Sequence, residues 1–491
     1  MAKHSKGDTH FTGQVKVLLQ KIYGHSSLKN SVLESAVEYY DSYESIQIRK
    51  NELSEEIEIL STKSDKKSIS VKAKLIREQK EYLNKLSSEK YERYNYLHTI
   101  CSNILSLCEG DTLTESNRKS AQLLGTIQLL SPTEGKNLAM INEMNKPLYK
   151  GVLALRLLDQ ICLNDSLPNA YVSQILDKEK FVNYENLATE NKTLYQHFVE
   201  YVKIPVLMAA ILQDIGTHHP EAQKIIQDSE EGKDSSRNLV VATRKMLLQI
   251  NYRETIKYVV DGMGTDIYKG NSKVERDQFN KLEEAKLKFL KYLIKDGVQA
   301  KQGLGNLLKV PQLYVSMLFS TKKTYNYKLL PKIYQALYQN AERGVCRKDI
   351  VDLLYKITGM FPQGYGVTYI PENVEGKVIY EYGVVSHLYP ENPEEPICRA
   401  ATKNLSFIDC GYDVTIKKNY NLYYADTVKK FAMISKERLN EILELLASNY
   451  EERQDLDLLP RCWAPMEYFS RKPYQKLWNK PLATIVPNKL S

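Results

Sequence analysis

The chain has 491 residues, more than one compact hydrophobic core usually holds, and this length predicts two or three domains. Its 68 basic and 60 acidic residues leave a formal charge of +8, but no block of Lys and Arg concentrates that charge, which argues against a dedicated nucleic-acid surface. The seven cysteines form no C-x-x-C pair and no apolar run approaches the roughly 20 residues that span a bilayer, so the sequence predicts a cytoplasmic protein without a disulfide framework, zinc ribbon or membrane span.

The N-terminal part of the chain has the pattern of two long helices. Residues 1–13 are polar and predict a disordered tail. Residues 14–108 contain helix-favouring runs without proline, interrupted by the polar stretch STKSDKKS at 61–68. Two helices with a short polar link predict an antiparallel helical hairpin, which suits a spacer or the contact surface of a homodimer.

In the rest of the chain the predicted secondary structure changes from helix to strand near residue 362. Residues 118–361 read as helix throughout and predict an all-α core. Residues 362–428 are rich in Val, Ile and Tyr between Gly and Pro turns, which predicts a small antiparallel β subdomain. Residues 429–491 predict one helix, at 435–454, and an irregular tail. The predicted fold is therefore mainly α, with a small C-terminal β part.

The stretch AAILQDIGTHHPEAQ, residues 209–223, has the character of a metal site. An apolar helix runs into Asp214, and His218 and His219 follow closely. A metal-dependent phosphohydrolase holds a cation with such nitrogen and oxygen ligands, and the cation lowers the pKa of a bound water. Gln213, however, stands where such a site needs a histidine.

This region resembles the HD-GYP family of cyclic-dinucleotide phosphodiesterases. VLMAAILQDIGTHHP is similar to the family's AaLLHDIGKxxxP segment, and IKYVVDGMGTDIYKG to its HHExxDGxGYPxG segment. LLKVPQLYVSMLFSTKKTYNY and LLYKITGMFPQGYGV resemble the helix and the tail that follow, so the resemblance covers roughly residues 185–400 in order. It implies an HD-domain-like helical core, a divalent Fe, Mn or Zn centre and hydrolysis of cyclic di-GMP (c-di-GMP).

Carried over by position, most of the family's metal ligands are replaced. Its HD pair falls on Gln213 and Asp214, so the aspartate alone matches. The other ligand positions fall on Ile256, Lys257, Tyr258 and Leu318. Ile256 and Leu318 are apolar and cannot hold a cation, and Lys257 would repel it. His197 is the candidate for an earlier histidine, and His218 and His219 are the candidates for a rebuilt site. We therefore expect no resident cofactor, unless Asp214 and these three histidines converge on one metal.

A non-catalytic relative would still bind a partner. The chain has 35 tyrosines against 10 phenylalanines, and tyrosine and lysine together suit a ligand with phosphates and stacking bases. The candidate ligand-binding residues are Lys257, Lys269, Lys322, Lys323, Tyr268, Tyr325 and Tyr327.

Three functions follow from the sequence. The first is a non-catalytic regulatory protein of c-di-GMP signalling that binds a protein partner or the nucleotide. The second is an active metal-dependent phosphodiesterase that uses Asp214, His218 and His219. The third is a structural adaptor that binds no nucleotide.

Overall fold

The computed structural model describes most of the chain. It covers residues 7–24, 30–63, 65–180, 183–228, 240–300, 303–322, 324–371, 380–404, 406–409, 411–431, 437, 440 and 460–479. Helices dominate these ranges and a five-stranded antiparallel sheet follows them, so the predicted mainly α fold with a small antiparallel β part is confirmed. Within these ranges, none of the helices combines the length and the apolar character that crossing a membrane requires.

The helices follow one another with short connections. Up to residue 228 they are α1 (His10–Tyr23), α2 (Val32–Ser61), α3 (Lys66–Cys108), α4 (Leu113–Leu129), α5 (Leu138–Asn164), α6 (Ala170–Leu176), α7 (Leu187–Glu190), α8 (Lys192–Phe198), α9 (Ile204–Leu212) and α10 (Pro220–Asp228). The later ones are α11 (Val241–Lys257), α12 (Lys273–Val298), α13 (Asn306–Leu318), α14 (Ile333–Glu342), α15 (Lys348–Thr358), α16 (Ala425–Phe431) and α17 (Met466–Phe469). π-helical turns at Val199–Lys203 and Tyr258–Met263 follow α8 and α11, and a 3₁₀ turn at Ile215–His218 follows α9.

The predicted N-terminal hairpin is formed by α2 and α3. The two helices run antiparallel, and Arg49 of α2 pairs with Glu78 of α3 at 2.6 Å. The outer half of this arm is largely exposed to solvent. Its base is different, because Tyr40 and Tyr94 belong to the same hydrophobic core as the helices of the following region. The hairpin and the helical core are thus packed together rather than joined by a linker.

The chain becomes helical earlier than predicted. The sequence predicts a disordered tail over residues 1–13, but α1 begins at His10. Thr9 caps this helix by accepting a hydrogen bond from the N–H of Thr12, and its own N–H donates to the side-chain oxygen of Gln475 at 2.7 Å. The described part of the tail is ordered by a contact with the far end of the chain, which local composition does not reveal.

Helix α9 lies in the centre of the helical core. Every residue from Ile204 to Leu212 is buried, and the helix packs against α3, α5 and α12. A helix that is apolar on all sides is stable only when neighbours surround it, which explains the run IPVLMAAIL. Asp214 therefore lies just beyond the end of a helix whose residues are all buried.

The sheet draws one strand from outside the predicted β subdomain. Its strands, in the order β6-β3-β2-β1-β7, are Asp413–Thr415, Ile397–Ala400, Glu381–Val385, Gly366–Tyr369 and Cys462–Trp463. The short strands β4 (Thr402–Lys403) and β5 (Ser406–Phe407) form a separate pair. The predicted helix at 435–454 lies almost wholly outside the described residues.

Residues 460–479 pack against the sheet. The Trp463 ring stacks on Tyr382 with centroids 4.7 Å apart, and its Nε1–H donates to the carbonyl of Gly383 at 2.9 Å. Tyr468 and Tyr474 stack on each other at 4.2 Å within the same apolar cluster. These aromatic contacts account for part of the tyrosine excess, because a tyrosine can fill a core and still bond through its hydroxyl.

Candidate functional site

Asp214 connects α9 to the 3₁₀ turn that carries the two histidines. Its side chain is 47% exposed, although the residues on either side of it are buried. Gly216 lets this turn approach α11 closely, because a Cβ there would stand 2.2 Å from the carbonyl oxygen of Asn251. The sequence DIG thus places a carboxylate at the surface of a crowded helix junction.

Both oxygens of the Asp214 carboxylate are bonded to neighbouring helices. Oδ2 lies 2.9 Å from Nζ of Lys150 on α5, and Oδ1 accepts a hydrogen bond of 2.9 Å from Gln312 on α13. Gln213 donates to the Gln312 side chain at 3.2 Å. Burial raises the pKa of Asp214, but the charge and hydrogen bond of Lys150 outweigh it and hold that pKa below its usual value. A lysine ammonium therefore neutralises the carboxylate that the sequence offers to a metal.

His218 turns toward α1. Its Nε2 lies 2.6 Å from the hydroxyl of Tyr23, and the two rings meet edge to face. Burial lowers the pKa of His218, although the charges of Glu143 and Asp214 oppose this. This shift favours the neutral form of the ring, which is already bonded to a phenol.

His219 turns instead toward α2 and α11. Its Nε2 lies 3.7 Å from Oε2 of Glu254, and its Nδ1 accepts a hydrogen bond of 3.2 Å from the backbone N–H of Glu221. The ring of Tyr40 packs against it edge to face at 5.2 Å. Asp214 and the two histidines consequently face three different sets of partners.

His219, Glu221 and Glu254 form the one group in the described ranges whose three potential metal-ligand atoms lie within 4.8 Å of one another. Two cations already occupy it. Arg253 pairs with both carboxylates, at 2.6 Å from Glu254, and Nζ of Lys257 lies 3.7 Å from Glu254. A metal ion bound here would compete with these side chains, which neutralise the two carboxylates.

His197, the remaining residue that the sequence predicts as a metal ligand, does not contact Asp214. The ring of His197 on α8 packs against Tyr201 at 4.6 Å, and its charged neighbours are Lys180 and Glu200. Leu318, which takes the position of a family metal ligand, is fully buried in the core. The structure does not bring the four sequence candidates together around one point.

The predicted ligand-binding residues fall into two places. Nζ of Lys257 stands 3.4 Å from the centroid of the Tyr43 ring, and Nζ of Lys269 stands 5.4 Å from that of Tyr91, so both lysines face the hairpin. Tyr268, beside Lys269, donates to the carboxylate of Glu275.

The other candidates lie on the side of the sheet. Tyr327 is buried, stacks on Tyr365, and accepts a hydrogen bond of 2.9 Å from the N–H of Gly366. Tyr325 also packs against the core, and Lys322 is exposed after α13. Lys323 lies outside the described residues. The two tyrosines are packing residues and do not join Lys257 in one site.

A groove that the sequence reasoning missed lies between the base of the hairpin and the π-helical turn Tyr258–Met263. Its volume is about 380 Å³. We call it the hairpin groove and define it by these side chains: Tyr39, Tyr43, Lys50, Lys90, Arg93 and Asp261. Tyr39 and Tyr43 are four residues apart on α2, and Lys90 and Arg93 are three apart on α3. This spacing puts each pair on one helix face and is visible in the sequence.

Positive charge dominates the hairpin groove. Nζ of Lys90 and Nε of Arg93 each donate to a backbone carbonyl of the π-helical turn, both at 2.6 Å. Burial lowers the pKa of Lys90, Asp261 opposes this, and the charges of Lys50 and Arg93 lower it further. Three cations thus surround one carboxylate beside two tyrosine rings.

Comparisons with protein-family models, with curated proteins and with solved structures gave no match to this chain. The HD-GYP resemblance therefore stays a prediction that rests on its motifs, and function has to be argued from the sites themselves.

Proposed function

We propose that this chain is a non-catalytic regulatory protein that binds an anionic nucleotide of the c-di-GMP class in the hairpin groove. The ion pair between Lys150 and Asp214 carries the non-catalytic part of the proposal. A metal phosphodiesterase needs a carboxylate free to join several other ligands around a cation. Here a buried ammonium holds that carboxylate, and the adjacent histidines contact Tyr23 and Glu254 instead.

The binding part of the proposal is supported by the composition of the hairpin groove. Lys50, Lys90 and Arg93 match the charge of a phosphodiester, and the rings of Tyr39 and Tyr43 form part of the groove wall. The volume of about 380 Å³ lies within the range of small-molecule sites. The resemblance of the sequence to HD-GYP proteins supplies the nucleotide class.

A ligand in the hairpin groove would touch two structural units at once. The groove is walled by α2 and α3 on one side and by Asp261 of the π-helical turn on the other. Binding would fix the hairpin against the helical core, because phosphate contacts would add to the two existing hydrogen bonds from Lys90 and Arg93. The exposed outer half of the hairpin is the surface that we propose for a protein partner or a second copy.

Calorimetric titration of the full chain with c-di-GMP tests this proposal. We expect saturable binding without hydrolysis, and an affinity at least tenfold lower in Lys50→Glu, which is about 1.4 kcal/mol. Lys74→Glu is the matched control, because it makes the same charge change at an exposed position of α3 outside the groove. Absence of saturable binding, or equal losses in the two variants, would contradict the proposal and favour a structural adaptor.

The active metal phosphodiesterase is the second candidate, and the group of His219, Glu221 and Glu254 is where we propose that it would bind a metal. Elemental analysis of the purified protein decides between the two. The active phosphodiesterase would replace the first proposal if two results were obtained together. The protein would contain near-stoichiometric Fe, Mn or Zn that is lost in Glu254→Gln and retained in Glu38→Gln, and it would turn over c-di-GMP. Metal below a tenth of an equivalent in all three proteins supports the first proposal.

A further inference from the structure

A small cavity of about 230 Å³ lies where α4, the sheet and the C-terminal segment meet, away from the hairpin groove. We call it the arginine cavity. The side chains that matter below are Arg118, Gln122, His387, Arg399, Asp413 and Trp478. Three separate parts of the chain supply them, so none of the local motifs in the sequence points to this place.

Arg399 forms the buried floor of the arginine cavity. Its side chain is 6% exposed, and its Nε pairs with Oδ1 of Asp413 at 2.7 Å. One terminal nitrogen donates to the backbone carbonyl of Asn479 at 2.7 Å. These contacts hold the guanidinium plane in a fixed orientation, which favours a specific contact with an oxyanion.

A second guanidinium group faces the same cavity with little compensation. Arg118 of α4 is 55% exposed, and its nearest carboxylate, Glu115, is 4.0 Å away. Gln122 lies one turn further along the same helix face and adds amide donors. With Asp413 as the one acidic lining residue, the cavity carries an excess of positive charge.

Two further aromatic residues line the cavity. The indole of Trp478 forms part of the cavity wall. The ring of His387 is tethered by a 2.9 Å contact between its Nδ1 and Oγ of Ser386, and its Nε2 lies 3.8 Å from Asp413.

We propose that the arginine cavity is a binding site for a phosphate group, either as the free ion or as a phosphomonoester. Arg118 and Arg399 would bind its oxygens, and Gln122 would add a hydrogen bond. The site is independent of the hairpin groove, since the two share no residue. Its position between α4 and the sheet would let the anion hold the C-terminal segment in place.

Tryptophan fluorescence tests this directly, because the chain has only two tryptophans. In Trp463→Phe, Trp478 is the one remaining reporter. We expect inorganic phosphate, at constant ionic strength set with chloride, to change its emission saturably. Arg118→Gln in this background should weaken binding at least tenfold. Arg343→Gln, which removes the same charge at an exposed position on α14's C-terminal side, should leave it unchanged.

Calorimetric titration of the protein that retains both tryptophans measures phosphate binding even if Trp463→Phe does not fold. Titration with glycerol phosphate beside inorganic phosphate distinguishes the two sources, and tighter binding of either one supports the site. If Lys50→Glu still responds to phosphate, the response does not arise from the hairpin groove. A response that does not saturate, or equal affinities in Arg118→Gln and Arg343→Gln, would overturn the proposal.

Discussion

The carboxylate of Glu109, directly after α3, lies 2.9 Å from Nζ of Lys203, which is 94 residues further along the chain. Arg156 pairs with the same carboxylate, and Asp159 pairs with both cations, at 3.0 Å from Arg156 and 3.2 Å from Lys203. The hydroxyl of Tyr184 donates to Asp159 at 2.7 Å. Two acids and two bases are thus balanced in the interior, where α3, α5 and the π-helical turn after α8 meet.

Removal of one member of this network should be strongly destabilising. Glu109→Gln leaves Arg156 and Lys203, which are almost fully buried, with Asp159 as their one acidic partner. We expect the free energy of unfolding to fall by about 3 kcal/mol, measured by urea denaturation. Glu115→Gln, on the accessible side of α4, should change it by less than about 0.5 kcal/mol. A loss below about 1 kcal/mol in Glu109→Gln would show that the network is not essential.

The same network should make stability fall in acid. Burial raises the pKa of Glu109, but Arg156 and Lys203 outweigh it and hold the folded-state pKa below the usual 4.5. A carboxyl with a depressed folded-state pKa contributes stability above its unfolded pKa, and this contribution is lost as the pH falls through the folded value. Urea midpoints should therefore decline below about pH 4.5, with a smaller decline in Glu109→Gln. Parallel pH profiles for the two proteins would be inconsistent with this assignment.

The pair of Lys150 and Asp214 should show coupling in a double-mutant cycle. Asp214→Ala leaves the buried ammonium of Lys150 without its carboxylate, and we expect a loss of about 2 kcal/mol. This is less than for a fully buried pair, because Asp214 is half exposed to solvent. Lys150→Met combined with Asp214→Ala should restore part of the loss, as judged from urea denaturation. Additive losses would mean that the two side chains act independently.

Gly216 should tolerate no side chain. A Cβ there would stand 2.2 Å from the carbonyl oxygen of Asn251 and 2.8 Å from the backbone nitrogen of Thr255, so the 3₁₀ turn would have to move away from α11. We expect Gly216→Ala to lose about 1–3 kcal/mol. Gly13→Ala on α1 is the control, because nothing lies within 4 Å of its Cβ and alanine favours the helix by roughly 0.5–1 kcal/mol. Thermal unfolding measures both effects: the melting temperature should fall in Gly216→Ala and rise in Gly13→Ala. Shifts of the same sign in the two variants would contradict the close packing inferred at Gly216.

The local pattern of residues was enough to predict a mainly α fold with a small antiparallel β part. The runs without proline on both sides of residues 61–68 predicted two paired helices, since periodicity and turn residues act over a few positions. The change to β-branched residues and short turns after residue 362 likewise predicted the sheet. The apolar run before DIG predicted that Asp214 follows a buried helix, and the structure has it there.

Which partner that carboxylate meets was decided by tertiary structure alone. Lys150 and Asp214 are 64 residues apart in the sequence and meet because α5 packs against α9. The sequence of neither helix indicates that the other is its neighbour. The arginine cavity, the hairpin groove and the strand Cys462–Trp463 likewise arise where distant segments meet. Short-range patterns record which face of an element is buried, whereas the chemistry of a site depends on which side chains arrive from elsewhere.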